Sequence, residues 1–184
     1  MGGKIVFEGL SKKGDKIIIR YPAKDDASLM CEYINNLSSE KTFVRFQGEK
    51  VSLKSETKYL NSQLKRINKN KTVQLFVFHN NKIIGIAAID MKDKTESHEG
   101  VLGLSVSKEF RGEGIGSLLM KLTIEESIKN MSSLKIITLG VFGNNTLAME
   151  MYRKLGFTEY GRLPKGSLHR DEYVDHVYMY KNVR

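Results

Sequence analysis

The chain has 184 residues, of which 40% are hydrophobic, and both values fit a single domain with one core. Its one cysteine, Cys31, excludes an intrachain disulfide and a multi-cysteine zinc site, while a formal net charge of +9 predicts attraction to anions of an unspecified kind. No apolar run reaches the roughly 18 residues of a membrane-spanning helix and no secretory signal is legible, so we expect a soluble, cytoplasmic protein without a membrane partner.

The first half of the chain predicts one strand, two helices and a hairpin. Residues 16–21 are rich in β-branched side chains and stop at Pro22, as a short strand does. Apolar residues spaced three and four apart then predict one helix after Asp26 and a second helix over residues 52–70. Two apolar runs separated by the pair Asn80-Asn81 predict a hairpin with a tight turn.

The second half of the chain alternates strands and helices. Residues 99–106 predict a strand that leads into a helix, and residues 135–142 have the continuous apolar pattern of a strand buried on both faces. A helix over residues 145–155 and two closing strands complete the pattern. The order β-α-α-β-β-β-α-β-α-β-β predicts an α/β domain around one mixed sheet over residues 16–184. Residues 1–15 are expected to be an extension that either adds an edge strand or is mobile.

A glycine-rich stretch, Arg111-Gly112-Glu113-Gly114-Ile115-Gly116, stands between a predicted strand and a predicted helix. Alternating glycines at a helix entrance expose backbone N–H groups, and the helix dipole favours an anion there. Arg111 adds a charge and Ser117 a hydroxyl. The stretch is not a P-loop, because no Lys follows the glycines, and position 117 lacks the glycine of a dinucleotide-binding fingerprint. On these residues alone it predicts either a diphosphate site or close helix–strand packing.

A second motif follows one buried strand later, in residues 145–157. Together the two motifs resemble the GNAT N-acetyltransferase superfamily. The family patterns are Arg/Gln-x-x-Gly-x-Gly/Ala, matched at residues 111–116, and Asn-x-x-Ala-x-x-x-Tyr-x-x-x-Gly-Phe, matched from Asn145 to Phe157. The match is close over residues 98–163, and the element order extends it from residue 16 to residue 181. The resemblance implies a single-domain GNAT fold and an enzyme that uses acetyl-CoA.

Within this resemblance, residues 102–106 look like the family's splayed, bulged fourth strand. Gly103 fits a bulge, because a glycine inside a strand is costly unless the backbone must bend. The splay is expected to free backbone groups of Leu104 and Val106 for the peptide-like pantetheine arm of the cofactor. The residues expected to contact the cofactor are Leu104, Ser105, Val106, Arg111, Gly112, Glu113, Gly114, Ile115, Gly116, Ser117, Asn145, Ala148 and Tyr152.

The resemblance also names candidates for acid and base chemistry. Tyr152 is expected to donate a proton to the leaving thiolate, the alternative being a core aromatic residue. Glu99 is the first candidate for the general base, acting directly or through a water, and Glu96 and His98 follow. The alternative for each of the three is a solvated loop residue without a catalytic role. Cys31 lies in the first predicted helix, away from both motifs, so we expect direct attack by the amine rather than an acyl-enzyme.

The acceptor is expected to be a primary amine, either a protein N-terminus or a small amine. The family resemblance places its pocket between residues 38–51 and the chain around His169, Asp171, Asp175 and His176, where no metal site is expected. Residues 173–177 resemble the branch that modifies ribosomal proteins and small amines. Two alternatives remain, namely a CoA-binding protein without catalysis and a basic RNA- or ribosome-binding module. No nucleic-acid partner is expected, and the sequence leaves monomer or homodimer undecided.

Overall fold

The computed structural model describes residues 3–183. Residues 1 and 2 of the predicted extension and residue 184 of the predicted domain lie outside this described part. This part contains eight strands and four α-helices. In chain order they are β1 (Ile5–Leu10), β2 (Lys16–Arg20), α1 (Ala27–Ser39), α2 (Leu53–Asn68), β3 (Thr72–His79), β4 (Lys82–Met91), β5 (Glu99–Val106), α3 (Ile115–Asn130), β6 (Ile136–Phe142), α4 (Thr146–Lys154), β7 (Thr158–His169) and β8 (Glu172–Asn182).

All eight strands form one mixed sheet in the order β1-β2-β3-β4-β5-β6-β8-β7. Neighbouring strands are antiparallel except β5 and β6, which are joined through α3 and pair in parallel. The predicted α/β class with a mixed sheet is confirmed. The additional strand, β1, comes from the segment predicted as an extension, where an edge strand was one of the two alternatives.

The two faces of the sheet are covered differently. Helices α3 and α4 pack on one face, and the core there includes Leu119, Ile137 and Met179, all essentially inaccessible to water. Helices α1 and α2 cover the other face mainly over the strands up to β4, through contacts such as Leu60 with Phe76, and Tyr33 of α1 also reaches Ser105 of β5. Beyond that contact, no helix of the described residues covers the second face, and side chains from β5, β6 and β8 reach solvent. We call this uncovered part of the sheet the open face.

Strands β5 and β6 separate part of the way along their length. They pair only at three positions, ending with Val101 opposite Thr138, although β5 continues to Val106 and β6 to Phe142. The predicted splay is therefore present. The predicted bulge at Gly103 is wrong, because the β4–β5 ladder runs in unbroken register along its whole length. The sheet opens because β5 stays with β4 while β6 turns away with β8.

No helix among the described residues is both long and apolar enough to cross a membrane.

Candidate functional site

The entrance of α3 is an uncapped helix N-terminus. Gly112 and Gly114 have φ values of +80° and +79°, which lie in the left-handed region that glycine adopts without strain. Gly114 is the N-cap residue and offers no side chain to the first turn. The first intrahelical bond runs from the Leu118 N–H to the Gly114 carbonyl, so the three N–H groups before Leu118 point out of the helix end. This arrangement favours an anion.

Glu113 does not face this entrance. Its carboxylate is buried, accepts a hydrogen bond from Ser11 at 3.0 Å and pairs with Lys13 at 2.9 Å. The hydrogen bond from Lys13, opposed by burial and supported by Ser11, holds the Glu113 pKa below its usual range. The side chain predicted to contact a cofactor instead fastens the β1–β2 turn to the glycine-rich stretch.

The same turn brings Lys12 to the helix entrance. A Cβ added to Gly114 would lie 2.9 Å from Cε of Lys12, so this exposed side chain crosses directly over the glycine. The Lys12 N–H also donates to the Glu113 carbonyl at 3.3 Å. Sequence reasoning missed Lys12, because nothing in the residues near it in the chain indicates a contact about a hundred positions away.

Arg111 is already engaged within the protein. Its Nε donates to the Val106 carbonyl at 2.9 Å, and its guanidinium forms an ion pair with Glu40, at the end of α1. The Lys108 N–H donates to the other Glu40 oxygen at 3.1 Å. The Glu40 carboxylate therefore already accepts hydrogen bonds from the Arg111 guanidinium and the Lys108 N–H, the two donors beside the glycine-rich stretch. The expectation that the backbone groups of Val106 are free is wrong for its carbonyl, and the role of Glu40 was not predicted.

The remaining predicted contacts on β5 and α3 point in different directions. Leu104 and Val106 turn their side chains toward Gly116, within 4 Å of where its Cβ would be. The Ser105 hydroxyl faces the opposite way and lies 2.9 Å from the Tyr33 hydroxyl of α1. Ile115 is buried in the core, so it can offer a ligand only its backbone, whereas Ser117 is exposed on the first turn of α3.

Helix α4 holds the second predicted motif. Asn145 is its N-cap, and its side-chain oxygen accepts a hydrogen bond from the Ala148 N–H at 3.3 Å. Tyr152 lies two turns later, 8% exposed, with its ring 6.2 Å from that of Phe157. Burial raises the Tyr152 pKa to about 12. The phenol is therefore protonated at neutral pH and available as a hydrogen-bond donor.

Glu99 lies at the closed end of the splay, where β5 and β6 still pair. Its carboxylate accepts a hydrogen bond from Thr138 at 2.7 Å and pairs with Lys92 at 2.8 Å. Burial acts to raise the Glu99 pKa, but the hydrogen bonds from Lys92 and Thr138 outweigh it, and the pKa is lowered. A carboxylate held in this way is a weak base. Of the other two candidates, Glu96 also pairs with Lys92 and His98 is exposed.

An aromatic cluster stands at the open face beyond the splay. Phe43, from the loop after α1, packs its ring 5.9 Å from Phe142 at the end of β6 and 4.3 Å from His169. His176 and Tyr178 of β8 continue the cluster, with ring centroids 4.7 Å apart. The structure thus brings together the loop after α1 and the β7–β8 hairpin, the two regions expected to form the acceptor pocket.

His169 and His176 differ in access. His169 is 4% exposed, its Nδ1 lies 3.2 Å from Asn144, and burial lowers its pKa. His176 is only half-buried. Asp175 pairs with Arg162 rather than with either histidine, and the described residues contain no group of three or more His, Cys, Asp or Glu side chains placed to hold a metal ion.

Comparison of the sequence with known proteins adds two findings. A model of the acetyltransferase (GNAT) family matches residues 32–157. The L-amino acid N-acetyltransferase AaaT of Escherichia coli (strain K12) is 33% identical over 107 residues, which cover 58% of this chain and 65% of that protein. The match therefore spans slightly less than two thirds of that relative's length.

Solved structures extend the similarity to nearly the whole chain. The acetyltransferase of the GNAT family from Streptococcus pneumoniae is 26% identical with a TM-score of 0.83, covering 91% of this chain and 99% of that one. The structure of yncA from Salmonella typhimurium with its cofactor acetyl-CoA has a TM-score of 0.77 at 16% identity, covering 91% and 94%. At that identity the second likeness shows a shared fold.

Proposed function

We propose that this chain, which belongs to the acetyltransferase (GNAT) family, transfers an acetyl group from acetyl-CoA to a primary amine. The observation that carries the proposal is the opening between β5 and β6 beyond Val101, with the uncapped entrance of α3 nearby and Tyr152 on the adjoining helix α4. An anion site, an unpaired strand edge and a buried proton donor in one region match what a phosphate-bearing thioester needs.

In this proposal the cofactor lies along the opening. Its diphosphate accepts hydrogen bonds from the backbone N–H groups of residues 115–117, where the helix dipole is favourable. Lys12 adds a positive charge at that position, because its side chain already crosses Gly114. The peptide-like arm runs along the unpaired part of β5, past Leu104 and Val106. Asn145 and Ala148 act indirectly, by fixing the start of the helix that carries Tyr152.

The transfer then needs few protein groups. The neutral amine attacks the thioester carbonyl, the C–S bond of the tetrahedral intermediate breaks, and the sulfur leaves as a thiolate. Tyr152 is proposed to protonate that thiolate, since its pKa of about 12 keeps the phenol neutral over the working pH range. Glu99 is not retained as the favoured base, because its carboxylate is committed to Lys92 and Thr138.

The proposed acceptor is a small amine such as an amino acid, with a protein N-terminus as the second candidate. The first is favoured by the relative named as an L-amino acid N-acetyltransferase, and by the aromatic cluster, which provides an apolar wall for a compact side chain. The charge of +9 favours acceptors that carry a carboxylate over polycations.

The test combines cofactor binding with release of free thiol. Calorimetry with acetyl-CoA is expected to show saturable binding, and an amine panel of amino acids, polyamines and N-terminal peptides is expected to show thiol release with a subset. Binding without thiol release from any amine would favour a CoA-binding protein without catalysis. Absence of binding at millimolar acetyl-CoA would overturn the proposal as a whole.

A further inference from the structure

We propose that His176 is the general base that takes the proton from the acceptor amine. This inference rests on the proposed function and deepens it. His176 lies on β8 opposite Phe142 of β6. On the same strand, Val177 and Met179 are fully buried in the core that α3 and α4 form on the opposite face of the sheet. Because side chains alternate along a strand, the His176 ring stands on the open face.

Gly140 allows the His176 ring to lie across β6. A Cβ added to Gly140 would lie 2.3 Å from Nε2 of His176 and 3.1 Å from Cε1, so any other residue there would push the ring away. Gly140 is two residues beyond Thr138, the last β6 residue that pairs with β5. The ring therefore leans from β8 over β6 toward the opening between β6 and β5. Nε2 is the ring atom nearest to the position that a Cβ on Gly140 would occupy.

The other ring nitrogen of His176 has a hydroxyl partner. Nδ1 lies 2.8 Å from the Ser167 hydroxyl on β7. When Nδ1–H donates to Ser167, Nε2 carries the lone pair, which is the tautomer that a base at the opening requires. The ring is flanked by Tyr178 on its own strand and by Phe142, at centroid distances of 4.7 and 6.5 Å. These contacts fix the ring plane while leaving His176 half-buried.

Neither Glu99 nor His169 combines a free lone pair with access to the opening. Glu99 is bound by Lys92 and Thr138, with a lowered pKa. His169 is 4% exposed and is covered by the rings of Phe43 and Phe142. His176 alone of the three presents a ring nitrogen above a glycine on the open face.

The charges around His176 are balanced. From β8, Asp175 is adjacent, but its carboxylate pairs with Arg162 at 3.1 Å and accepts from the Lys165 N–H at 3.2 Å. Tyr178 is the titratable group stacked on the ring from the same strand. Ser167 from β7, and Gly140 and Phe142 from β6, are uncharged. The direct contacts of the ring are therefore with a hydroxyl, a phenol and a phenyl ring.

The proton balance of the step is complete. An ammonium acceptor loses one proton to His176 Nε2, and the resulting amine attacks the thioester carbon from the open face. The C–S bond breaks, the nitrogen loses its second proton to solvent, and the thiolate takes a proton from Tyr152. His176 returns its proton to solvent and Tyr152 regains one, so that thiol, amide and one net proton are released.

The experiment measures kcat/KM against pH for wild type, His176→Gln and the control variant His79→Gln, using an amine that wild type acetylates. We expect wild type and the control to rise with pH through the histidine range. His176→Gln should lose that limb and fall by about 10²- to 10⁴-fold near neutral pH, with acetyl-CoA affinity within twofold of wild type. At higher pH the loss should shrink, because the amine deprotonates without help.

A second variant, Gly140→Ala, keeps the imidazole but displaces it. It should lower kcat in the same direction while acetyl-CoA binding and the unfolding midpoint stay close to wild type. An unchanged pH profile for His176→Gln, or a uniform loss at every pH, would overturn the base role even though wild type transfers acetyl groups. If wild type neither binds acetyl-CoA nor releases thiol, the proposed function itself fails, which is a separate result.

Discussion

The carboxylate of Glu40 competes with any anion that approaches Arg111, and this competition has a measurable consequence. Glu40 accepts from the Arg111 guanidinium and from the Lys108 N–H at 3.1 Å. Replacing it by glutamine removes the negative charge but keeps an oxygen for Lys108. We therefore expect Glu40→Gln to bind acetyl-CoA more tightly than wild type, because Arg111 no longer has to leave an ion pair to meet the diphosphate.

The size of the effect follows from the exposure of the pair. The Arg111 side chain is 38% exposed and that of Glu40 is 17% exposed, so the pair is screened like a surface salt bridge, worth about 0.2–1 kcal/mol. Each 1.4 kcal/mol corresponds to about tenfold in a dissociation constant. Cofactor affinity should therefore rise by roughly 1.5- to 5-fold, while the free protein loses a similar free energy of unfolding. The gain in affinity should diminish at high salt.

Calorimetric titration with acetyl-CoA at two salt concentrations, together with chemical denaturation of the free protein, measures both effects. Glu159→Gln is the matched control, because it weakens another Arg–Glu pair, with Arg162, away from the glycine-rich stretch. The control should leave cofactor affinity unchanged. Weaker binding by Glu40→Gln, or an equal change in the control, would refute the competition between Glu40 and the diphosphate.

Three further predictions concern single groups. Tyr152→Phe should lower kcat by about 10²-fold or more without changing acetyl-CoA affinity, and unchanged turnover in a thiol-release assay would remove Tyr152 from the acid role. Gly114→Ala should destabilise the fold by about 1–3 kcal/mol, because alanine is strained at a φ of +79°, whereas thermal unfolding of Gly103→Ala should show little change. Asp26→Asn should cost about 3 kcal/mol in denaturant unfolding, since the 4%-exposed Asp26 accepts two hydrogen bonds from Arg20, each at 2.7 Å; a loss below 1 kcal/mol would contradict this.

Periodicity and turn residues were enough to predict the main elements of the fold. The apolar spacing in α2 and the continuous run in β6 determine where those segments are buried, so each was predicted close to its observed bounds. β1 was harder to predict, because Ile5–Leu10 is an exposed edge strand with a weak apolar pattern. The bulge at Gly103 was wrongly predicted, since a glycine in a strand does not reveal whether the ladder beside it is broken.

The motif residues were predictable from the sequence, but their partners were not. Local spacing places the glycines at a helix entrance, whereas Tyr152 was identified through the family resemblance of the motif around it. The contacts of Arg111 with Glu40 and of Gly114 with Lys12 join distant segments, and no local pattern encodes them. The direction of a side chain at a given position, as for Ser105 toward Tyr33, likewise depends on which helix covers which face.

The buried contacts of Glu113 link the folding of two distant segments. Ser11 and Glu113 are 102 positions apart, so their hydrogen bond closes a loop that spans more than half of the chain. Such non-local contacts form late in folding, because closing a long loop costs chain entropy before the contact itself can stabilise the fold. Helix α3 can therefore form early while its entrance remains loose. If the entrance binds an anion as proposed, that binding should return on refolding only once β1 and β2 have docked against Glu113.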